Sequence, residues 1–215
     1  MYQGGKTNSP EIQDDKLTAK RRRVLEAARR QFMAQGYADT GIEAVARDAK
    51  VSTATLYALF PSKTHLFNAV IEEAGEEFAQ RIAAVTASGG DGLEQLRGFA
   101  SAYARFMSDP FVRSVFRLVA AERRRFTPVA QTFYEMGRNR FGGALMAILE
   151  TMRAEGRLDG SRMSTAAGQL MGMIEHPTFL VPLVTGGEVE CSRSPEQVAQ
   201  DAVDTLMARY GLPKA

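Results

Sequence analysis

The chain has 215 residues, 45% of them hydrophobic and 24% charged, which suits a protein with a substantial core and excludes a disordered or collagen-like polymer. A single cysteine, Cys191, excludes an intramolecular disulfide; with only two histidines, His65 and His176, far apart, no metal site or cofactor is expected. The net charge of +2 is uneven: residues 16–63 carry ten Lys and Arg against four acids, while residues 1–15 and 64–215 each hold two more acids than bases. Such a local basic region is the footprint of phosphate neutralisation, although a basic solvated helix face has the same composition.

Almost every segment reads as helix, with apolar residues at three- and four-residue intervals. Residues 1–15 are polar and expected to be a flexible tail. They contain no apolar stretch of a secretory signal, and no apolar run reaches the roughly 18–20 residues that span a bilayer. The protein is therefore expected to be soluble, cytoplasmic and without a membrane partner. Helix one runs from about Leu17 to Gln35 on a stripe of Leu17, Val24, Leu25, Ala28 and Phe32, and Gly36 suits a left-handed C-cap. Thr40 with Glu43 forms a capping box for a short helix two, striped by Ile42, Val45, Ala46 and Ala49. Ser52 caps helix three, which stops at Phe60-Pro61 because proline disfavours a helical residue before it. Helix four continues from Ser62 to the break at Ser88-Gly89-Gly90. Asp91 and Glu94 cap helix five, Asp109-Pro110 helix six, and Thr127-Pro128 a long helix seven reaching Glu155. Helix eight spans about Met163 to Val184, interrupted or kinked near His176-Pro177. Ser194-Pro195 opens helix nine, which ends at Tyr210.

Thr40 to Lys63 form the decisive constellation. Two short helices joined by a tight turn at Lys50-Val51-Ser52 are what a helix-turn-helix requires. Val51, Leu56 and Phe60 anchor the second helix, leaving Ser52, Thr53, Ala54, Thr55, Tyr57 and Ala58 to face outward. Small and hydroxyl-bearing groups let the backbone approach a major groove; Thr and Ala can meet thymine methyls. Lys63, in the first turn of helix four, and the hydroxyl or amide of Thr40 are placed to meet phosphates. Lys20 to Arg23, with Lys20 and Arg22 as candidates, can reach the adjacent backbone or minor groove. Each has a plainer alternative: Tyr57 as packing, the arginines as solvated charges.

The segments VLEAARRQFMAQGYADT and IEAVARDAKVSTATLYALFPSKTHLF resemble the tetracycline-repressor (TetR) family of bacterial regulators over about fifty residues. The resemblance implies an all-α protein of about nine helices. In it a DNA-binding domain of three helices (16–63) is joined by a long helix to a ligand-binding and dimerisation domain (64–215). It implies phosphate contacts from Thr40, Tyr57 and Lys63, and base contacts from Ser52, Thr53, Ala54 and Thr55. It further implies a homodimer on a palindromic double-stranded operator, released when an effector tilts the fourth helix. Two departures stand out. Lys50 occupies a position where the family often has glycine, and Thr53-Ala54 replaces a more usual basic-plus-glycine pair.

The remainder is less specific. Phe116 to Arg140 resembles the C-terminal domain of the AefR-like branch. Phe99, Tyr103, Phe106, Phe116, Phe133, Tyr134, Met136, Met146 and His176 are candidates for lining an effector pocket, which would then suit a largely apolar or aromatic molecule; as apolar residues at helical spacing they read equally as core. Leu170, Met173, Ile174, Phe179, Leu180, Leu183, Val203, Leu206 and Met207 are candidates for a four-helix dimer interface, or for packing on helix seven. Arg123-Arg124-Arg125 reads as a solvated corner or an anion site. No phosphate-cradling glycine loop, metal pattern or nucleophile–base pair supports an enzyme. An activator, a regulator without effector and a redox role for Cys191 stay open.

Overall fold

A computed structural model describes residues 10–87, 90–121, 134–135, 137–189 and 191–213. The start of helix seven at Thr127-Pro128, the Arg123-Arg124-Arg125 run, Phe133 and Met136 lie outside these residues. The chain divides into two compact units, 1–72 and 73–215, so the division falls inside the fourth helix rather than at Lys63.

The first unit holds α1 (Pro10–Asp39), α2 (Ile42–Asp48), α3 (Thr53–Leu59) and the opening turns of α4 (Lys63–Ala87). Its core follows the expected stripes apart from Leu17, which is exposed on the open end of α1: Val24, Leu25, Ala28 and Phe32 of α1, Ile42, Val45 and Ala46 of α2, Leu56 of α3, and Leu66, Phe67 and Val70 of α4. Each fully buried aliphatic side chain contributes about 1.5–3 kcal/mol. Phe32, Tyr37 and Phe67 close the unit as an aromatic trio with ring centroids 5.0–5.8 Å apart.

One expectation for α1 needs correction: it begins at Pro10, within the segment expected as a flexible tail. Gly36 breaks it where the C-cap was expected, with φ 76° and ψ 170°, a region open essentially to glycine alone, and a separate helical turn follows at residues 37–39.

In the second unit, α5 (Gly92–Ser108) and α6 (Pro110–Ala121) follow the distal part of α4. A π-helical turn, Arg138–Gly142, then leads into α7 (Gly143–Ala154), and a 3₁₀ turn, Gly160–Arg162, into α8 (Met163–Glu175). A second π-helical turn, His176–Leu180, continues to α9 (Val181–Val184), and α10 (Pro195–Tyr210) closes the unit. The capping boxes Asp91/Glu94 and Ser194/Gln197 form as expected, and Asp109 Oδ1 accepts from the amide of Phe111. The interruption expected at His176-Pro177 is a widened turn, not a break. Pro177 and Pro182 withhold two amide donors, and the buried Thr178 hydroxyl donates to the Ile174 carbonyl at 2.7 Å. The core combines Leu96, Phe99, Ala100 and Tyr103 of α5 with α7, α8 and α10, including Leu145, Ile148, Leu170, Val203 and Leu206. Gly92 allows the α5 N-terminus to dock against α7: a Cβ there would lie 2.5 Å from Met152 Cγ, and its amide donates to Glu155. Among the described residues no helix is long and apolar enough to cross a membrane.

Candidate nucleic-acid interface

The turn between α2 and α3 is set by three residues. At the end of α2 the Val51 amide donates to the Ala46 carbonyl (3.0 Å) and the Lys50 amide to that of Arg47 (3.2 Å), a Schellman closure. Lys50 takes the left-handed conformation this closure needs, φ 55°, unlike every other non-glycine among the described residues. Ser52 then caps α3, its Oγ accepting from the Thr55 amide (3.1 Å) and lying 2.8 Å from Thr55 Oγ1. Leu56 and Phe60 are buried as expected, and Val51 partly so. Ser52, Thr53, Ala54, Tyr57 and Ala58 are exposed, with Thr55 half-buried beside its cap. Tyr57 is 47% exposed, a large aromatic standing off the outer face.

The cations are differently committed. Lys16, Lys20, Arg21, Arg22 and Arg23 are all exposed on α1. Arg21 lies over the Phe60 ring (5.4 Å), tying the basic run to the end of α3, and Arg22 pairs loosely with Glu26 (3.9 Å). Lys63 reaches back across the α1–α2 corner: its Nζ donates to the Ala38 carbonyl (2.9 Å) and sits 4.7 Å from the Tyr37 ring centroid. Burial holds its ammonium below the usual lysine range, with Asp39 opposing. Tyr37 and Thr64 are joined through their hydroxyls at 3.0 Å.

Thr40 is a correction. It does not cap α2; Gly41 does, without a side-chain bond. Thr40 is 2% exposed, and its hydroxyl donates to the carbonyls of Gly36 (2.6 Å) and Gln31 (3.1 Å) at the broken end of α1. That hydroxyl is turned inward onto the end of α1. Sequence reasoning also missed the clamp from α1 to α2. Arg30 donates two hydrogen bonds to Asp48 (3.1 and 3.3 Å) and Gln31 adds a third (3.4 Å), the guanidinium holding the Asp48 carboxyl below the usual aspartate range. An aspartate closing α2 and an arginine beside the α1 stripe, between Ala28 and Phe32, were the available signal.

Residues 24–70 match the model of bacterial regulatory proteins of the tetR family, and residues 94–212 match that of the AefR-like transcriptional repressor C-terminal domain. The chain belongs to the TetR family. The flavonoid-responsive regulator FrrA is 31% identical, with 91% of this chain covering 98% of that one at a TM-score of 0.65. A TetR-family regulator from Mesorhizobium loti shares the fold at 24% identity, 91% and 98% coverage and a TM-score of 0.75. Another, FadR from Bacillus subtilis solved with stearoyl-CoA, does so at 16% identity, 87% and 97% coverage and a TM-score of 0.67. No curated protein matches the chain. The TetR fold and the helix-turn-helix identify a DNA-binding transcriptional regulator rather than an enzyme.

Burial in the second unit separates the pocket and interface candidates. Phe99 and Tyr103 are fully buried in an aromatic cluster with Phe78, Phe106 and Phe141, centroids 4.4–6.3 Å apart. Phe116 stacks edge-on to Phe179 at 4.5 Å, and Met146 is partly buried on the core. Tyr134 is 68% exposed and His176 is exposed, so neither is enclosed among the described residues. The polar group inside the cluster is one that sequence reasoning missed: the Tyr103 hydroxyl donates to Glu175 Oε1. Burial first, then the Glu175 charge and hydrogen bond, pushes the Tyr103 phenol far up. A carboxylate closing an apolar helix was the signal for it. Of the interface candidates, Leu170, Ile174, Val203 and Leu206 are buried in the core of the second unit, the packing alternative rather than a surface. Met173, Phe179, Leu183 and Met207 are partly exposed and Leu180 is 45% exposed. A groove of about 660 Å³ runs between α8 and α10, with Gly172, Met173, His176, Thr205 and Arg209 along it.

Proposed function

We propose that this TetR-family protein is a repressor that binds a palindromic operator as a homodimer and is released by a small, largely apolar or aromatic effector. The observation that carries the DNA-facing half is the outer face of α3. It is exposed, made of short side chains and Tyr57, and fixed in direction by the Ser52 cap and the Schellman turn. We assign base contacts to Ser52, Thr53, Ala54 and Thr55, and backbone contacts to Tyr57, Lys63, Lys20 and Arg22. Lys63 would leave the Ala38 carbonyl to meet a phosphate.

A homodimer is favoured because a helix-turn-helix reads one half-site, and two-fold symmetric pairs read two, about 34–36 Å apart. The part-exposed Met173, Leu183 and Met207 and the exposed Leu180 are apolar side chains available to such a pairing, Met173 along the α8–α10 groove. The aromatic cluster of α4, α5 and the π-helical turn favours an apolar or aromatic effector, and FrrA is described as flavonoid-responsive. A cytoplasmic location follows from the same role. The test is a gel shift of the full chain on DNA upstream of its own gene, across a salt series, with naringenin as first effector probe. Binding that steepens as salt is lowered and is reversed by an effector is expected. Absence of any salt-sensitive, sequence-preferring complex would defeat the proposal.

A further inference from the structure

We propose that the operator is read in the major groove chiefly through thymine methyl groups, with Thr53, Ala54 and Ala58 as the side chains that receive them. The inference rests on the assignment of α3 as the reading element. It starts from what that helix lacks. Discrimination of guanine is commonest through Arg or Lys bonding O6 and N7 together, and of adenine through Asn or Gln bonding N6 and N7. No residue from Val51 to Phe60 is Arg, Lys, Asn, Gln, Asp or Glu. The hydroxyls present are partly spent within the helix. Ser52 Oγ accepts from the Thr55 amide, and the Ser52 and Thr55 hydroxyls bond each other, so one of their two protons is consumed internally.

What α3 offers outward is therefore methyl groups and one phenol. Thr53, Ala54, Tyr57 and Ala58 occupy one exposed face of a seven-residue helix, while Leu56 is buried on the other. Short side chains bring that backbone close to the groove floor. There the thymine C5-methyl is the one apolar feature a base pair presents, and it distinguishes T·A from A·T and from both G·C orientations. Long donors flank the helix rather than lie on it. Lys50 is held in the left-handed turn before it, and Lys63 is folded back on the Ala38 carbonyl after it.

The experiment uses the full chain and first alters the DNA, where folding of a variant is not at issue; the variants that follow are compared only after their thermal melts match the parent's. Half-sites are selected from a random duplex library, and each thymine in the best sequence is replaced singly by deoxyuridine, which removes the methyl and leaves pairing intact. At two or more positions per half-site each replacement is expected to weaken binding about threefold to fivefold, the worth of one buried carbon. Thymines outside the footprint serve as the control and are expected to show no change. In Ala54→Gly the penalty at one of these positions is expected to disappear while the others persist. Selected sites fixed for guanine at the contacted positions, with that preference lost in Lys50→Ala, would overturn the proposal, as would uniform indifference to deoxyuridine. Failure to select any sequence at all would instead count against the DNA-binding assignment itself.

Discussion

Lys50 carries a backbone conformation that its side chain opposes, and replacing it with glycine is expected to stabilise the protein. At φ 55° its Cβ crowds the following carbonyl, a strain of about 1–2 kcal/mol for an L-residue. Glycine removes that strain but enlarges the unfolded ensemble, which takes back about 0.4–1 kcal/mol. The net gain is about 0.5–1 kcal/mol, or a rise in midpoint of about 1–4 °C for a chain of this size. The Schellman bonds from Val51 and Lys50 use backbone atoms alone, so they survive the change. Thermal melting of Lys50→Gly is the assay, with Lys50→Ala and Lys50→Asn beside it. Alanine removes the charge and keeps the Cβ, so it separates electrostatics from conformation; asparagine tolerates the left-handed region and is expected to fall between. The expected order is Gly above Asn above Ala, with Ala close to the parent. If Lys50→Ala matched Lys50→Gly, the gain would come from charge, and the strain argument would fail.

Thr40→Val removes the donor that serves the Gly36 and Gln31 carbonyls while keeping the shape, and is expected to cost about 1–2 kcal/mol in urea unfolding; Thr40→Ser should recover most of it. Equal stability of the valine variant would mean those carbonyls find water. The Arg30–Asp48 clamp is partly exposed, so it is worth only about 0.5–1 kcal/mol. Because the folded-state carboxyl of Asp48 is held low, that contribution is complete above about pH 4 and vanishes as pH falls through the depressed value. Asp48→Asn should thus melt below the parent at pH 7 and converge with it near pH 2. Tyr103→Phe leaves Glu175 without its phenol donor beside a buried cluster, and should cost about 1.5–3 kcal/mol; Glu175→Gln should cost less, since an amide oxygen still accepts. A neutral Tyr103→Phe would show that Glu175 is solvated instead.

The DNA-facing unit was legible to the level of single caps because its signals are local. Ser52 capping α3, Phe60 ending it before Pro61, and Lys50 in a left-handed turn each depend on residues within a few positions. Thr40 shows where such reasoning fails. Thr-x-x-Glu before an apolar stripe is a valid capping box, but the carbonyls left bare by the positive φ at Gly36 competed for the same hydroxyl and won. Once α1 is broken there, its last carbonyls need donors, and both Thr40 and Lys63 supply them. A glycine's ψ value, which no sequence pattern reports, thus decides the orientation of two side chains assigned to phosphates.

In the second unit the pattern located helices well and failed to divide their faces. Helical periodicity marks α8 and α10 as amphipathic, yet a core stripe and an interface stripe obey the same three- and four-residue spacing. Leu170 and Ile174 fall inward whereas Met173, between them, stays partly exposed. The difference is a rotation of about 100° per residue, the step of an α-helix, which one sequence constrains only when both neighbours of the helix are known. The π-helical turn at His176–Leu180 widens the spacing, so the buried row runs on from Leu170 and Ile174 to Thr178 and Pro182 in steps of four, while Leu180 stands 45% exposed beside it. Two prolines read as an interruption therefore leave the helix and its buried row continuous, because the widened turn accommodates the two amides they withhold.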